Sequence, residues 1–362
     1  MTTSAEPIRV GIAGLGRSGW GIHAKTLKGM TDRYQIVAVT DVDPARCEEA
    51  RAAHNCRTYQ DIAGLTGDEQ VELIVVATPN RFHAGHAIQA LEAGKHVVCE
   101  KPFGFSVGDV DAMIAASQAA GRVLQPFQQR RYEPDFRKVK EICDSGLLGR
   151  LTFIRIAWHG FKRRWDWQTS RAFGGGELYN NGPHLIDHAM ELFGPSEPQV
   201  WCDLRHSLNS GDVEDDVRVI LRGADAPTVQ IELTATTAFP QERWHVCGTS
   251  GGLRGDGKKL VWRWVDWSTM PDRPQDLRPT PDRGYNSEEV NWQEASWEPA
   301  GQADLGAGAA PASQPVVDLY SDLWRTIREG APQVITPRSV RRRVAVLQQC
   351  YEQSGIPFPA PD

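Results

Sequence analysis

Ile8-Arg9-Val10-Gly11-Ile12-Ala13-Gly14-Leu15-Gly16-Arg17-Ser18-Gly19 decides the fold of this chain. Residues 8–13 read as a β-rich strand that runs directly into a G-x-G-x-x-G. Gly14 serves the tight turn, Gly16 lets the backbone approach a pyrophosphate, and Gly19 permits close packing of helix on strand. A helix beginning near Ser18, beside Arg17, would aim its free N–H groups and positive dipole end at the phosphates. Asp41 closes the next β-rich run, 22 residues after Gly19. A carboxylate there holds both ribose hydroxyls of NAD and repels a 2′-phosphate, so NAD is expected rather than NADP.

Outward from this loop, strand-like runs at 8–13, 36–40, 73–77, 96–99 and 122–126 alternate with helix-patterned stretches near 19–29, 44–54, 82–93 and 106–120. Such alternation predicts a parallel sheet with helices on both faces. Asp43-Pro44 marks a helix start, with proline at its first position. Ala77-Thr78-Pro79-Asn80 and Arg81-Phe82-His83 follow the third run, at the carboxyl edge where cofactors bind. Thr78, Pro79, Asn80 and His83 are therefore cofactor candidates. His83 and His86 have a spacing that permits metal binding, but no acid or cysteine completes a site, and surface or capping roles are the simpler reading. The fourth run ends in Glu100-Lys101-Pro102 at the same edge. A lysine there, desolvated beside a positively charged nicotinamide, has its pKa lowered and can help take a substrate proton.

The 362 residues suffice for two domains, and 40% hydrophobic with 24% charged residues is ordinary globular composition. No apolar run reaches the roughly 18–20 residues of a membrane helix. The N-terminus shows no basic-then-apolar secretory pattern, so a cytoplasmic location is expected. A net charge of -6 argues against nucleic acid as the main ligand. Seven scattered cysteines without a C-x-x-C read as reduced thiols.

Several motifs in order make the chain resemble the Gfo/Idh/MocA family of sugar oxidoreductases. They are Gly14-Leu15-Gly16-Arg17-Ser18-Gly19, Ala77-Thr78-Pro79-Asn80, Ala90-Leu91-Glu92-Ala93-Gly94-Lys95-His96-Val97, Glu100-Lys101-Pro102, Gln129-Arg130-Arg131-Tyr132, Gly174-Gly175-Gly176-Glu177-Leu178 and Gly182-Pro183-His184-Leu185-Ile186-Asp187. The resemblance covers nearly everything except residues 262–314. It implies an α/β Rossmann domain over residues 1–127. Residues 128–362 would form an α+β domain with a large, mostly antiparallel open sheet, through which a homodimer or homotetramer is expected. Strand-like runs at 151–158, 199–205, 217–221, 229–236, 243–247 and 260–264 fit, as do closing helices at 315–329 and 339–353. The stretch 301–314 reads as a flexible loop.

The resemblance also implies roles. Its catalytic lysine falls on Lys101 and its histidine on His184, while its aspartate position holds Asn180, which cannot accept a proton. Glu100 and Gln129 are expected near the cofactor. Arg131, Tyr132, Trp158, His159, Arg163, Arg164, Trp165, Trp167, Asn180 and Asn181 are substrate candidates. Aromatic faces with interleaved polar groups suit a pyranose. Arg131 also reads as a domain-interface salt bridge. His184, Asp187 and His188 could face a metal on a helix, but the implied chemistry needs none, so no metal is expected. The expected activity is NAD-dependent hydride transfer at a secondary alcohol of a sugar, glycoside or cyclitol. Alternatives are glycoside cleavage through transient oxidation with retained NAD, and a non-catalytic NAD- and sugar-binding sensor.

Overall fold

A computed structural model describes residues 6–280, 282–299 and 313–356. Most of the loop expected at 301–314 lies outside them.

Six parallel strands form the first sheet: β1 (Ile8–Ala13), β2 (Tyr34–Thr40), β3 (Arg57–Tyr59), β4 (Leu73–Val76), β5 (His96–Cys99) and β6 (Leu124–Pro126). Their order is β3-β2-β1-β4-β5-β6, so the direction of winding reverses between β1 and β4. The crevice outside that reversal is where a doubly wound sheet binds its ligand. Ile8, Val10, Ile12 and all of β4 are fully buried, as expected of strands covered on both faces. The connecting helices are α1 (Lys25–Lys28), preceded by a π-helical turn at Gly19–Ala24, then α2 (Pro44–His54), α3 (Ile62–Gly67), α4 (His83–Glu92) and α5 (Val107–Ala120). Local chemistry sets their starts. Asp43 caps α2 by accepting Ala45 N–H at 2.9 Å. Ser106 and Asp109 form a reciprocal capping box on α5.

After α6 (Pro134–Asp144) come β7 (Leu151–His159), α7 (Glu177–Asn180) and α8 (Gly182–Phe193). The remaining strands are β8 (Gln199–Arg205), β9 (Asp216–Arg222), β10 (Thr228–Thr234), β11 (Trp244–Gly248), β12 (Gly251–Gly255), β13 (Leu260–Val265) and β14 (Trp292–Trp297). They form one sheet, ordered β14-β13-β12-β11-β7-β10-β9-β8 and antiparallel except where β7 meets β10. Strand alternation puts Ile154, Ile156, Ile231 and Leu233 into a core with α6 and α8. The stretch 262–314 contributes the last residues of β13 and all of β14.

Two closing helices tie the halves together. α9 (Gln314–Glu329) packs Val316, Leu319, Tyr320 and Leu323 into the core of the first sheet. α10 (Pro337–Ser354) serves both cores, with Val340 and Val344 in one and Val346 and Leu347 in the other. No helix among the described residues is long and apolar enough to cross a membrane.

Candidate active site

The glycine loop leaves β1 at the winding reversal. Gly14 has φ +90°, and a Cβ there would lie 2.6 Å from the Ala77 carbonyl oxygen. At Gly19 it would lie 1.8 Å from the Gly14 oxygen. Both positions therefore require glycine. Around the Cβ direction of Gly16 nothing lies within 4 Å, which leaves the loop open where a phosphate approaches. Asp41 accepts Leu15 N–H at 2.6 Å on one oxygen and Asp43 N–H at 2.9 Å on the other. It shapes the loop besides standing at the ribose position. Arg17 is exposed beside Gly16.

Deeper along this edge, Thr78 is pinned from two sides. Its carbonyl accepts His83 Nε2–H at 2.8 Å, and its hydroxyl meets His86 Nδ1 at 3.2 Å. Burial pushes His83 down to about 4, so the ring stays neutral. Its Nδ1 and the Gln129 Oε1 are buried without a partner among the described residues. Asn80 Nδ2 donates to the Gly174 carbonyl at 2.9 Å, joining this edge to the second domain. The open Gly16 turn, the carboxylate ending β2 and these unpaired polar atoms fit a bound dinucleotide.

Glu100 and Lys101 end β5 and point to different tasks. Glu100 is buried and accepts hydrogen bonds from the Ser18 hydroxyl, from His23 Nε2 at 3.2 Å and from Lys101 N–H at 3.0 Å. Burial alone would raise its pKa, but His23, the Lys101 charge and Ser18 prevail and bring it to about 2. A permanent anion thus anchors the glycine loop to β5. The Lys101 ammonium reaches across to α7 and donates to the Asn180 carbonyl at 2.9 Å and to Asn180 Oδ1 at 3.2 Å. Burial lowers its pKa to about 8 against the opposing charge of Glu100, with Arg130 and Arg17 lowering it further.

α8 forms the opposite wall. Eleven of its twelve residues are buried, so each polar one needs a partner. Asp187 takes a two-pronged contact from Arg131 Nε and Nη2, both at 2.7 Å. His188 stacks on Phe136 with centroids 3.9 Å apart and meets the Arg130 carbonyl at 3.0 Å. His184 is 4% exposed, and burial together with the Arg130 and Lys101 charges holds its pKa well below the usual range.

One arginine-to-amide relay ends at this wall and a second ends on α7. Arg343, fully buried on α10, donates from Nη1 to Gln128 Oε1 at 2.8 Å. Gln128 Nε2 in turn lies 3.4 Å from His184 Nδ1. A guanidinium can only donate, so it must meet the amide oxygen, and the amide N–H must face Nδ1. The neutral His184 ring then carries its proton on Nε2. The second relay starts at Arg164, whose Nη2 donates to Gln168 Oε1. Gln168 Nε2 donates to Asn180 Oδ1 at 3.1 Å. Protonated Lys101 likewise only donates, and Gln168, already oriented by Arg164, presents its amide N–H, so together they fix which end of the Asn180 amide is oxygen. Asn180 Nδ2 makes no hydrogen bond among the described residues.

The other candidates are placed differently. Trp158 lies under the guanidinium groups of Arg130, at 4.7 Å, and Arg243, at 5.7 Å. His159 does not join it. Alternation along β7 turns its ring to the other sheet face, where Nε2 meets Glu232 at 2.8 Å. Arg131 is spent on Asp187, Glu191 and Ser339, the brace that a salt-bridge reading anticipates rather than a substrate contact. Tyr132 is buried away from Lys101, its hydroxyl donating to Asp322 on α9. Arg163 and Trp165 lie exposed on the loop after β7, and Trp167 is partly so. Asn181 Nδ2 donates to Glu177. Among the described residues no three His, Cys, Asp or Glu side chains gather as a metal site.

Gln128, Gln168 and Arg343 were not among the sequence candidates. Gln168, beside Trp167, carried a weak signal by adjacency. Arg343 carried none, since Arg341-Arg342-Arg343 reads as a solvated basic face.

Comparison with known proteins follows this geometry. Residues 8–128 match the model of an oxidoreductase family with an NAD-binding Rossmann fold, and residues 136–254 match the GFO/IDH/MocA C-terminal domain. Myo-inositol 2-dehydrogenase of Thermotoga maritima is 35% identical over 266 residues, 69% of this chain and 75% of that protein. An uncharacterised oxidoreductase of Schizosaccharomyces pombe is 31% identical over 220 residues, 59% of this chain. The chain spans 60% of that relative's length. The WlbA dehydrogenase of Bordetella pertussis, solved with NADH and UDP-GlcNAcA, superposes with a TM-score of 0.76 at 21% identity, covering 97% of this chain and 96% of that one. The glycine loop and Asp41 thus sit in an NAD-binding Rossmann domain, and the chain belongs to the Gfo/Idh/MocA family of oxidoreductases.

Proposed function

We propose that this protein is an NAD-dependent dehydrogenase that acts on a secondary alcohol of a sugar or cyclitol, or reduces the matching ketone. The observation that carries the reading is Lys101. Its amine is desolvated at the cofactor edge of the first sheet and held across the crevice by Asn180. Relatives named as inositol dehydrogenases support the substrate class.

The cofactor, when bound, supplies a nicotinamide that accepts or returns a hydride. The chain's own residues handle the proton. In the oxidising direction, neutral Lys101 takes the hydroxyl proton on Nζ while the C–H electron pair departs as hydride. In reduction, protonated Lys101 gives that proton back to the forming alkoxide. His184, neutral with its proton on Nε2, donates to the reacting oxygen and does not change charge near neutral pH. Asn180 orients Lys101 but cannot share the proton. Gly16, Arg17 and Asp41 would hold the dinucleotide, with Glu100 fixing the loop beneath it.

Residues 1–127 would then bind the cofactor, while residues 128–362 contribute the substrate wall and a dimer or tetramer contact through the open sheet face. Light scattering at micromolar protein tests the assembly, and a monomer would count against it. For activity, NADH formation is followed over cyclitols, free sugars, sugar acids and glycosides, with NAD and NADP in parallel. Turnover with NAD that Lys101→Met abolishes is the expected result. No turnover in either direction, with NAD binding verified by calorimetry, would refute the dehydrogenase.

A further inference from the structure

The two relays settle the hydrogen-bonding polarity of the wall facing the cofactor edge. With the Asn180 oxygen held by Lys101 and Gln168, the atom left over is the Nδ2 amide, a donor. With His184 Nδ1 facing Gln128, the atom left over on that ring is Nε2–H, also a donor. Lys101 itself is a donor whenever protonated. Of the nearby carboxylates, Glu100 is committed to Ser18, His23 and Lys101 N–H and Asp187 to Arg131, while Glu177 gives Oε1 to Asn181 and acts on Lys101 through its charge.

One reacting carbinol does not use all of these donors. Its proton goes to neutral Lys101, and a lone pair of its oxygen accepts from His184 Nε2–H. The Asn180 amide then stands for a second oxygen on a neighbouring carbon. A hydroxyl there would offer lone pairs, but the Asn180 amide and His184 Nε2–H give its own proton no acceptor, and a proton left unpaired where water is excluded is costly. A carboxylate offers lone pairs only, and the nearby Lys101 charge favours it. An aspartate at position 180 would present an anion at the same point and repel it.

We infer that Asn180 makes this a site for sugar acids, its amide Nδ2 donating to a substrate carboxylate placed next to the carbinol that Lys101 deprotonates. The inference rests on the dehydrogenase reading above and narrows its substrate class. Asn180 is here a substrate-binding residue, and Gln168 and Arg164 are positioning residues that keep its amide the right way round.

The test measures binding to the NADH-loaded protein by calorimetry, so that it does not depend on turnover. Gluconate and galactonate, whose carboxylate adjoins a free carbinol, are compared with glucose, galactose, myo-inositol and glucose 6-phosphate. The wild type should bind a sugar acid at least about tenfold more tightly than its neutral counterpart. Asn180→Asp keeps an oxygen for both Lys101 and Gln168, so the local network survives. It should lose at least about tenfold for the acid while holding or gaining affinity for myo-inositol. Gln168→Glu provides a second route. Its carboxylate still pairs with Arg164 but presents an acceptor to Asn180, competes for Nδ2, and should erode the acid preference too. A wild-type preference for neutral sugars, or acid affinity unmoved by both variants, overturns the inference. So does glucose 6-phosphate binding more tightly than either carboxylate. Acids that bind as expected without hydride transfer in either direction would uphold the inference and sink the dehydrogenase. Turnover of neutral polyols with no acid preference would do the reverse.

Discussion

The relay ending at His184 and the relay ending at Asn180 use the same parts and sit in opposite surroundings. Each runs from an arginine through a glutamine amide to a residue of the active wall. Arg343 is wholly buried, has no carboxylate among its hydrogen-bond partners in the described residues, and also donates to the Pro102 and Pro183 carbonyls. Burial lowers its pKa to about 10, with the Asp187 charge opposing that shift. Arg164 keeps 24% of its side chain exposed and is paired with Asp166 in a two-pronged contact. Identical chemistry thus gives one joint that the fold cannot release and one that solvent can compete for. The buried joint binds together the chain just after Lys101 and the chain just before His184. The exposed joint only orients an amide.

Removing the amine held by the Asn180 relay should have the largest effect. Lys101→Met removes the proton carrier and should cost about a thousandfold or more in kcat, with calorimetric NADH binding retained. The pH profile comes next. With Lys101 at about 8, kcat/KM for alcohol oxidation should climb through roughly two decades between pH 6 and 8 and then level, while ketone reduction falls above 8. No second inflection from His184 should appear near neutrality, because its pKa lies well below. A histidine-like inflection near 6.5 would undo the tautomer argument for the buried relay.

Arg343→Met strips a buried cation from three acceptors and should lower unfolding free energy by roughly 3 kcal/mol in denaturant titration. The counterpart change at the exposed relay is the smallest. Arg164→Ala should alter stability by less than about 1 kcal/mol, as exposed ion pairs do, and raise KM a few-fold with kcat nearly unchanged. Equal stability losses from the two variants would mean that the two relays are held with the same strength.

Local pattern carried much of the fold. β1 and β5 follow runs recognisable end to end, because buried β-branched stretches bounded by turn residues have few other solutions. β12 escaped notice because Gly251-Gly252-Leu253-Arg254-Gly255 has one apolar residue and no β-branched one. β14 carries Gln293, Glu294 and Ser296 without a clean alternation, and among the described residues it pairs only with β13. β3 has three residues and no buried side chain. Within the site, Lys101, Asn180 and His184 were legible from motif order, but the side chains that set their polarity were not. Gln128 and Arg343 are 215 residues apart in sequence. Of the three adjacent arginines, Arg341 pairs with Asp111, Arg342 meets Glu197 and the Gly194 carbonyl, and only Arg343 turns inward. That choice depends on the rotation of α10 against two cores, which no local window contains. His159 shows the reverse failure: adjacency to Trp158 suggested a shared site, and the two-residue period of a strand separates them.

Tyr320 has a consequence for how the chain is made. Its hydroxyl meets His23 at 2.7 Å, its carbonyl accepts the Tyr34 hydroxyl at 2.6 Å, and its ring lies in the core of the first sheet. The ribosome delivers it nearly two hundred residues after β6, which at ordinary elongation speed is a wait of roughly ten to forty seconds. Until then the hydrogen-bond line from Glu100 through His23 has no end, and the apolar seat of α9 stays open to water. The cofactor half is therefore the first to be translated but cannot be the first to be finished. A nascent chain stalled or cut before residue 320 would expose that seat to chaperones rather than bind a dinucleotide.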